Sequence, residues 1–130
     1  MNTTSNTVPM NNKEIFSAVR RYYHEHEKVV KQYGKIENWN VSNVTNMDYL
    51  FECIQCDFNL SKWNVSNVTS MEGMFKQSEF NYDISDWDVR NVTNMKKMFM
   101  YNTHFDQDIS KWNLDDVNTE QMFTGNLHKE

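Results

Sequence analysis

Trp63-Asn-Val-Ser-Asn-Val-Thr-Ser-Met71 decides the fold of this chain, because nearly the same phrase occurs three more times. Trp39-Asn-Val-Ser-Asn-Val-Thr-Asn-Met47 precedes it, and Trp87-Asp-Val-Arg-Asn-Val-Thr-Asn-Met95 follows. A degraded copy, Trp112-Asn-Leu-Asp-Asp-Val-Asn118, ends the series. The tryptophans are 24, 24 and 25 residues apart. A period in this range predicts units that cannot bury their apolar faces alone and stack on their neighbours.

Aligned on tryptophan, the copies give apolar columns. Ile36, Leu60, Ile84 and Ile109 stand three residues before Trp39, Trp63, Trp87 and Trp112. Val41, Val65, Val89 and Leu114 follow, then Val44, Val68, Val92 and Val117. Phe51, Phe75, Phe99 and Phe123 close each copy. Trp-x-Val has the two-residue period of an extended segment. Val-x-x-Met-x-x-[Leu/Met]-Phe has the three-to-four spacing of a helix. Thr45, Thr69 and Thr93 read as its N-caps, with Asp48 and Glu72 completing capping boxes. The expected fold is therefore an α/β, leucine-rich-repeat-like solenoid of about four strand–short-helix repeats, 24–25 residues each.

The rest of the chain reads around that block. Residues 1–10 are polar and read as a flexible tail. Residues 11–35 read as one amphipathic capping helix, opened by Asn11 with Glu14 and closed by Gly34. The solenoid spans 36–123, and 124–130 read as a fraying tail of the same single domain.

Composition bounds the function. With 130 residues and a net charge of -5, the chain lacks the basic face of a sequence-independent nucleic-acid binder. Residues 13–33 carry five basic and three acidic groups, so the acidity lies in the body. No signal peptide and no membrane span is read, so an intracellular or virion-associated location is expected. Cys53 and Cys56 form a C-x-x-C without the second pair a zinc site needs. His24 and His26 point to different faces of a helix. No cofactor, metal or catalytic set is expected. Asn59, Asp83 and Asp108, each before Ser-x-Trp or its equivalent, read as Asx turns. Asn43, Asn67 and Asn91 read as structural side chains linking copies, so the N-x-S/T sequons there recur because the unit recurs.

Phe80-Asn-Tyr-Asp-Ile-Ser-Asp-Trp-Asp-Val-Arg-Asn-Val-Thr-Asn-Met-x-x-Met-Phe99 resembles the repeat of the BspA-like, leucine-rich-repeat-related family, which includes the Mycoplasma lipoprotein repeat of unknown function. Lys31-Gln-Tyr-Gly-Lys-Ile-Glu-Asn-Trp39 resembles the lead-in of short intracellular copies in large DNA viruses and some protists. The resemblance implies a repeat solenoid with an adhesive or protein-binding role and no catalytic residues. Without the signal peptide or lipobox of the surface members, a non-enzymatic protein–protein interaction module is the expected function. A structural, self-assembling component such as a minor virion protein, associating through the solenoid ends, is the alternative. The partner is expected to be a protein, not nucleic acid or membrane. The candidate face is Lys62, Asp86, Lys111, Asp88, Ser66 and Arg90, positions that vary while the apolar columns hold. Arg90 leads because Arg is enriched at binding hot spots.

Overall fold

In a computed structural model of the chain, residues 8–129 are described. The expectation for residues 1–7, the greater part of the predicted tail, lies outside them.

The strand–helix solenoid is not what forms. Among the described residues both α-helices lie before the repeated phrases: α1 is Asn12–Arg21 and α2 is His26–Tyr33. A single 3-10 turn, Ile36–Asn38, leads into the first tryptophan. Among the described residues there is no sheet; strand-type pairing there is limited to three isolated parallel bridges, Asn46 with Ser70, Ser70 with Asn94, and Asn94 with Asn118.

The physical reason lies in the turns. After each tryptophan the chain does not stay extended: Val44 N–H returns to Val41 O, Val68 to Val65 and Val92 to Val89, at 2.9–3.0 Å. The predicted helices are replaced by successive four-residue turns, such as Leu50 N–H to Met47 O, Glu52 to Tyr49 and Ile54 to Phe51. Such turns bury every third or fourth residue, which is why they imitate a helix in apolar spacing. Left-handed residues interrupt any helix at Tyr49, Cys53, Gln77, Lys97, Tyr101 and Gln121, and at Gly73 and Gly125. Thr45, Thr69 and Thr93 accordingly cap nothing; the next residue turns the chain, as Asn46 Oδ1 accepts from Asp48 N–H at 2.8 Å.

The copies lie on one another in register. Met47, Tyr49, Phe51 and Cys53 donate their N–H groups to Ser70, Glu72, Met74 and Lys76 O at 2.7–3.0 Å. Met71, Gly73, Phe75 and Gln77 do the same to Asn94, Lys96, Met98 and Met100. Met95, Lys97, Phe99 and Tyr101 donate in turn to Asn118, Glu120, Met122 and Thr124. Alternate N–H groups thus run between copies, and those between them close local turns.

Aromatic columns fill the interior. Phe51, Phe75, Phe99 and Phe123 stack at 5.6–5.7 Å between ring centres. Trp39 stacks on Trp63 at 6.3 Å, and Trp87 on Trp112 at 6.5 Å. Each indole N–H donates backward: Trp63 to Ile36 O, Trp87 to Leu60 O and Trp112 to Ile84 O, at 2.8–3.3 Å. Phe123 differs from its column-mates in being only half-buried.

The N-terminal segment closes the first copy. Asn11 and Glu14 form a reciprocal capping box at 2.8 and 3.0 Å. The single helix expected over 11–35 is broken at residues 22–25. The break lets Ile15, Ala18 and Val19 of α1, and Val29 and Tyr33 of α2, all reach the core. Asn12 Oδ1 accepts from Thr45 and Asn46 N–H, and Arg20 donates to Tyr49 and Leu50 O at 3.0 and 2.8 Å. Met10, placed by sequence in the tail, is buried and bonded to Asn40 O. At the other end Asn126, expected to fray, is buried with both side-chain atoms bonded.

Gly73 combines a left-handed φ of 58° with a close neighbour: a Cβ there would collide with the Tyr49 ring. Gly73→Ala should cost about 2 kcal/mol, from left-handed strain and displacement of that ring. In urea melts the same change in a Tyr49→Ala background should cost measurably less.

Candidate functional site

The predicted face lies along the tryptophan side of the stack, and its backbone is held by two rows of Asx turns. In one row Asn40, Asn64, Asp88 and Asn113 accept from Ser42, Ser66, Arg90 and Asp115 N–H at 3.1–3.2 Å. In the other, Asn59, Asp83 and Asp108 accept from Ser61, Ser85 and Ser110 N–H at 2.9–3.0 Å. An Asx side chain occupied in this way shapes the turn and leaves its neighbours to face solvent.

The six candidate residues therefore divide. Asp88 is mainly a turn former, and Ser66 is half-buried with its hydroxyl donating to Asn64 Oδ1 at 2.6 Å. Lys62, Asp86, Arg90 and Lys111 are exposed. Arg90 pairs with Asp88 at 3.0 Å while its side chain remains 78% exposed, and Lys111 pairs with Asp86 at 3.0 Å. Hydrogen bonding from Arg90 holds the Asp88 carboxyl below its usual range. Bonds from Ser85 and Ser110 do the same for Asp83 and Asp108. These shifts favour fixed negative charge over proton donation. A shallow pocket of about 360 Å³ lies between Asn59, Ser61, Tyr82, Asp83 and Asp86.

The asparagine column clamps copies together: Asn67 and Asn91 Nδ2 donate to Ser42 and Ser66 O at 2.7 Å. Asn43 stands exposed at the first copy. Cys53 is exposed and Cys56 buried, both as free thiols, and desolvation pushes Cys56 up to about 12. His26 Nδ1 lies 3.1 Å from Tyr22 O. Among the described residues no group of His, Cys, Asp or Glu is arranged to hold a metal, and no helix is long and apolar enough to cross a membrane.

Two polar systems escaped the sequence reading. One is a buried column, Ser78, Asn102 and Asn126, each three residues after a phenylalanine of the stacked column, Phe75, Phe99 and Phe123. That Phe-x-x-polar spacing was the available signal. The other links copies at the surface: Tyr49 Oη donates to Glu72 Oε2 at 2.6 Å, and Asn94 Nδ2 to Glu72 Oε1 at 3.0 Å. The bond to Glu72 pushes Tyr49 up to about 12 and, with Asn94, draws Glu72 down. The stability Tyr49 adds is full below its ordinary value of 10 and lost as pH rises through 12. Glu72's part is present above the usual carboxylate range and lost on acidification below it. The stability difference from Tyr49→Phe, read from melts across pH, should be flat near neutrality and shrink at both extremes.

No curated protein and no solved structure matches the chain. A family model does match, over residues 13–129, which include all of α1 but Asn12, the whole of α2 and every copy of the repeated phrase. Its description is "Mycoplasma protein of unknown function, DUF285", a family associated with BspA-like repeat proteins. The chain belongs to this family.

Proposed function

We propose that the chain is a non-enzymatic protein–protein interaction module whose binding face is the Asx-turn ridge carrying Lys62, Asp86, Lys111, Asp88, Ser66 and Arg90. The observation that carries the reading is the double row of Asx turns. It fixes the backbone beneath an array of exposed charges of both signs. Side chains presented on a backbone already ordered cost less entropy to bind with, so the array suits recognition of a partner surface of complementary charge. The free thiols fit a reducing compartment. An intracellular or virion-associated module, like the short members the lead-in resembles, is the form proposed.

Arg90→Glu tests the face. Its ion pair with Asp88 is exposed, so the melt of the variant should superimpose on that of the parent. Captured from the cells that make it, the native protein should bring down a specific protein that the variant retains at least about ten-fold less well. A partner retained equally by both would remove this face from the proposal.

A further inference from the structure

The register that binds one copy to the next leaves its last row of donors unused. In three successive copies, four alternate N–H groups each find a carbonyl in the copy that follows. The equivalent groups of the fourth copy belong to Thr119, Gln121, Phe123 and Gly125. Among the described residues none of these four N–H groups has an acceptor. The amides between them are satisfied locally: Glu120 by Asn118 Oδ1, Met122 by Thr119 O, Thr124 by Gln121 O. The edge is thus a row of donors at two-residue spacing. The side chains beside it are also uncovered. Leu114, Val117 and Phe123 are half-buried where their counterparts Val89, Val92 and Phe99 are buried. A depression of about 440 Å³ lies among Leu114, Thr119, Gln121, Met122, Phe123 and Thr124.

The chemistry of the edge selects its occupant. A second copy of the chain placed edge to edge would set donors against donors. Head to tail, it would meet an end already crossed by α1, where Arg20 holds Tyr49 and Leu50 O and Asn12 holds Thr45 and Asn46 N–H. The occupant must instead bring carbonyls at two-residue spacing and apolar side chains to cover Leu114 and Phe123. It must also bring positive charge, because residues 113–125 carry Asp115, Asp116 and Glu120 and neither Lys nor Arg. The geometry points to the C-terminal edge as a docking site for an extended, basic and apolar segment of another polypeptide, added as one further layer. The chain contains a segment of this description. Asn94, Lys96, Met98 and Met100 O receive the donors of the copy before them, and Lys96 and Lys97 lie within the segment.

A synthetic peptide of residues 91–102 is therefore the probe, titrated into the full-length 15N-labelled protein with amide exchange followed by NMR. The amides of Thr119, Gln121, Phe123 and Gly125 should shift and their exchange should slow at least about ten-fold, while Glu120, Met122 and Thr124 keep theirs. A peptide with both lysines changed to glutamate should bind about ten-fold more weakly at low salt, and added salt should erase the difference. Unchanged exchange at those four amides with millimolar peptide would overturn the proposal. So would shifts confined to the ridge around Arg90, or protection at the edge that rises with protein concentration alone, which would make a second copy the occupant. Loss of a partner on Arg90→Glu bears on the ridge and leaves this edge untouched.

Discussion

Trp87→Ala should lower the unfolding free energy by about 4 kcal/mol and the melting temperature by on the order of 10 °C. The indole is 4% exposed, parallel to Trp112 and against Phe75 at 6.5 Å. Its N–H is the donor to Leu60 O at 3.0 Å. Truncation therefore removes a large apolar surface, opens a cavity between copies and takes away one of the two donors to Leu60 O, the other being Trp63 N–H. Trp87→Phe separates these contributions: it restores much of the ring contact and loses the hydrogen bond, so about 1–2 kcal/mol of the loss should remain. A Trp87→Ala melt superimposable on the parent would mean that the column does not hold the copies together.

Asn102→Ala should cost about 3 kcal/mol although it removes a small polar side chain. Asn102 is fully buried. Its Nδ2 donates to Phe80 O at 3.2 Å, and its Oδ1 accepts from His104 and Phe105 N–H at 3.0 Å each. Two buried backbone groups, Phe80 O and Phe105 N–H, lose their partner together where water does not compensate, and the more open His104 N–H loses its own. Asn91 is the control: it also bonds backbone between copies, through Ser66 O, but on the exposed side. Asn91→Ala should cost under about 1 kcal/mol. Equal losses at the two sites, measured by chemical denaturation, would show that burial of the Asn102 network is not what makes it matter.

The difference between those residues also shows what was legible before the structure. The tryptophan and phenylalanine columns could be read because apolar side chains recur at fixed spacing whatever backbone carries them. The backbone itself could not be read. Turns closing at Leu50, Glu52 and Ile54 place Met47, Leu50 and Phe51 inward with the spacing of a helix. The left-handed positions that rule a helix out are held mostly by Tyr49, Cys53, Gln77, Lys97, Tyr101 and Gln121 rather than by glycine. Gly73 and Gly125 marked two of these positions, too few to reveal the pattern. The Asx turns at Asn59, Asp83 and Asp108 were readable because Asx followed two residues later by Ser is a local signal. The donor edge at Thr119, Gln121, Phe123 and Gly125 had no such signal, because an unpaired backbone N–H is set by register between copies and not by side-chain identity.

The most direct test of the layered register is residue-by-residue amide exchange on the unliganded protein. Met71, Gly73, Phe75 and Gln77, and likewise Met95, Lys97, Phe99 and Tyr101, should exchange slowly, since each donates to the copy that follows. Thr119, Gln121, Phe123 and Gly125 occupy the same places in the last copy and should exchange rapidly. Slow exchange at all three sets, or protection running through consecutive residues as in a helix, would contradict the register and the turn-built layers that depend on it.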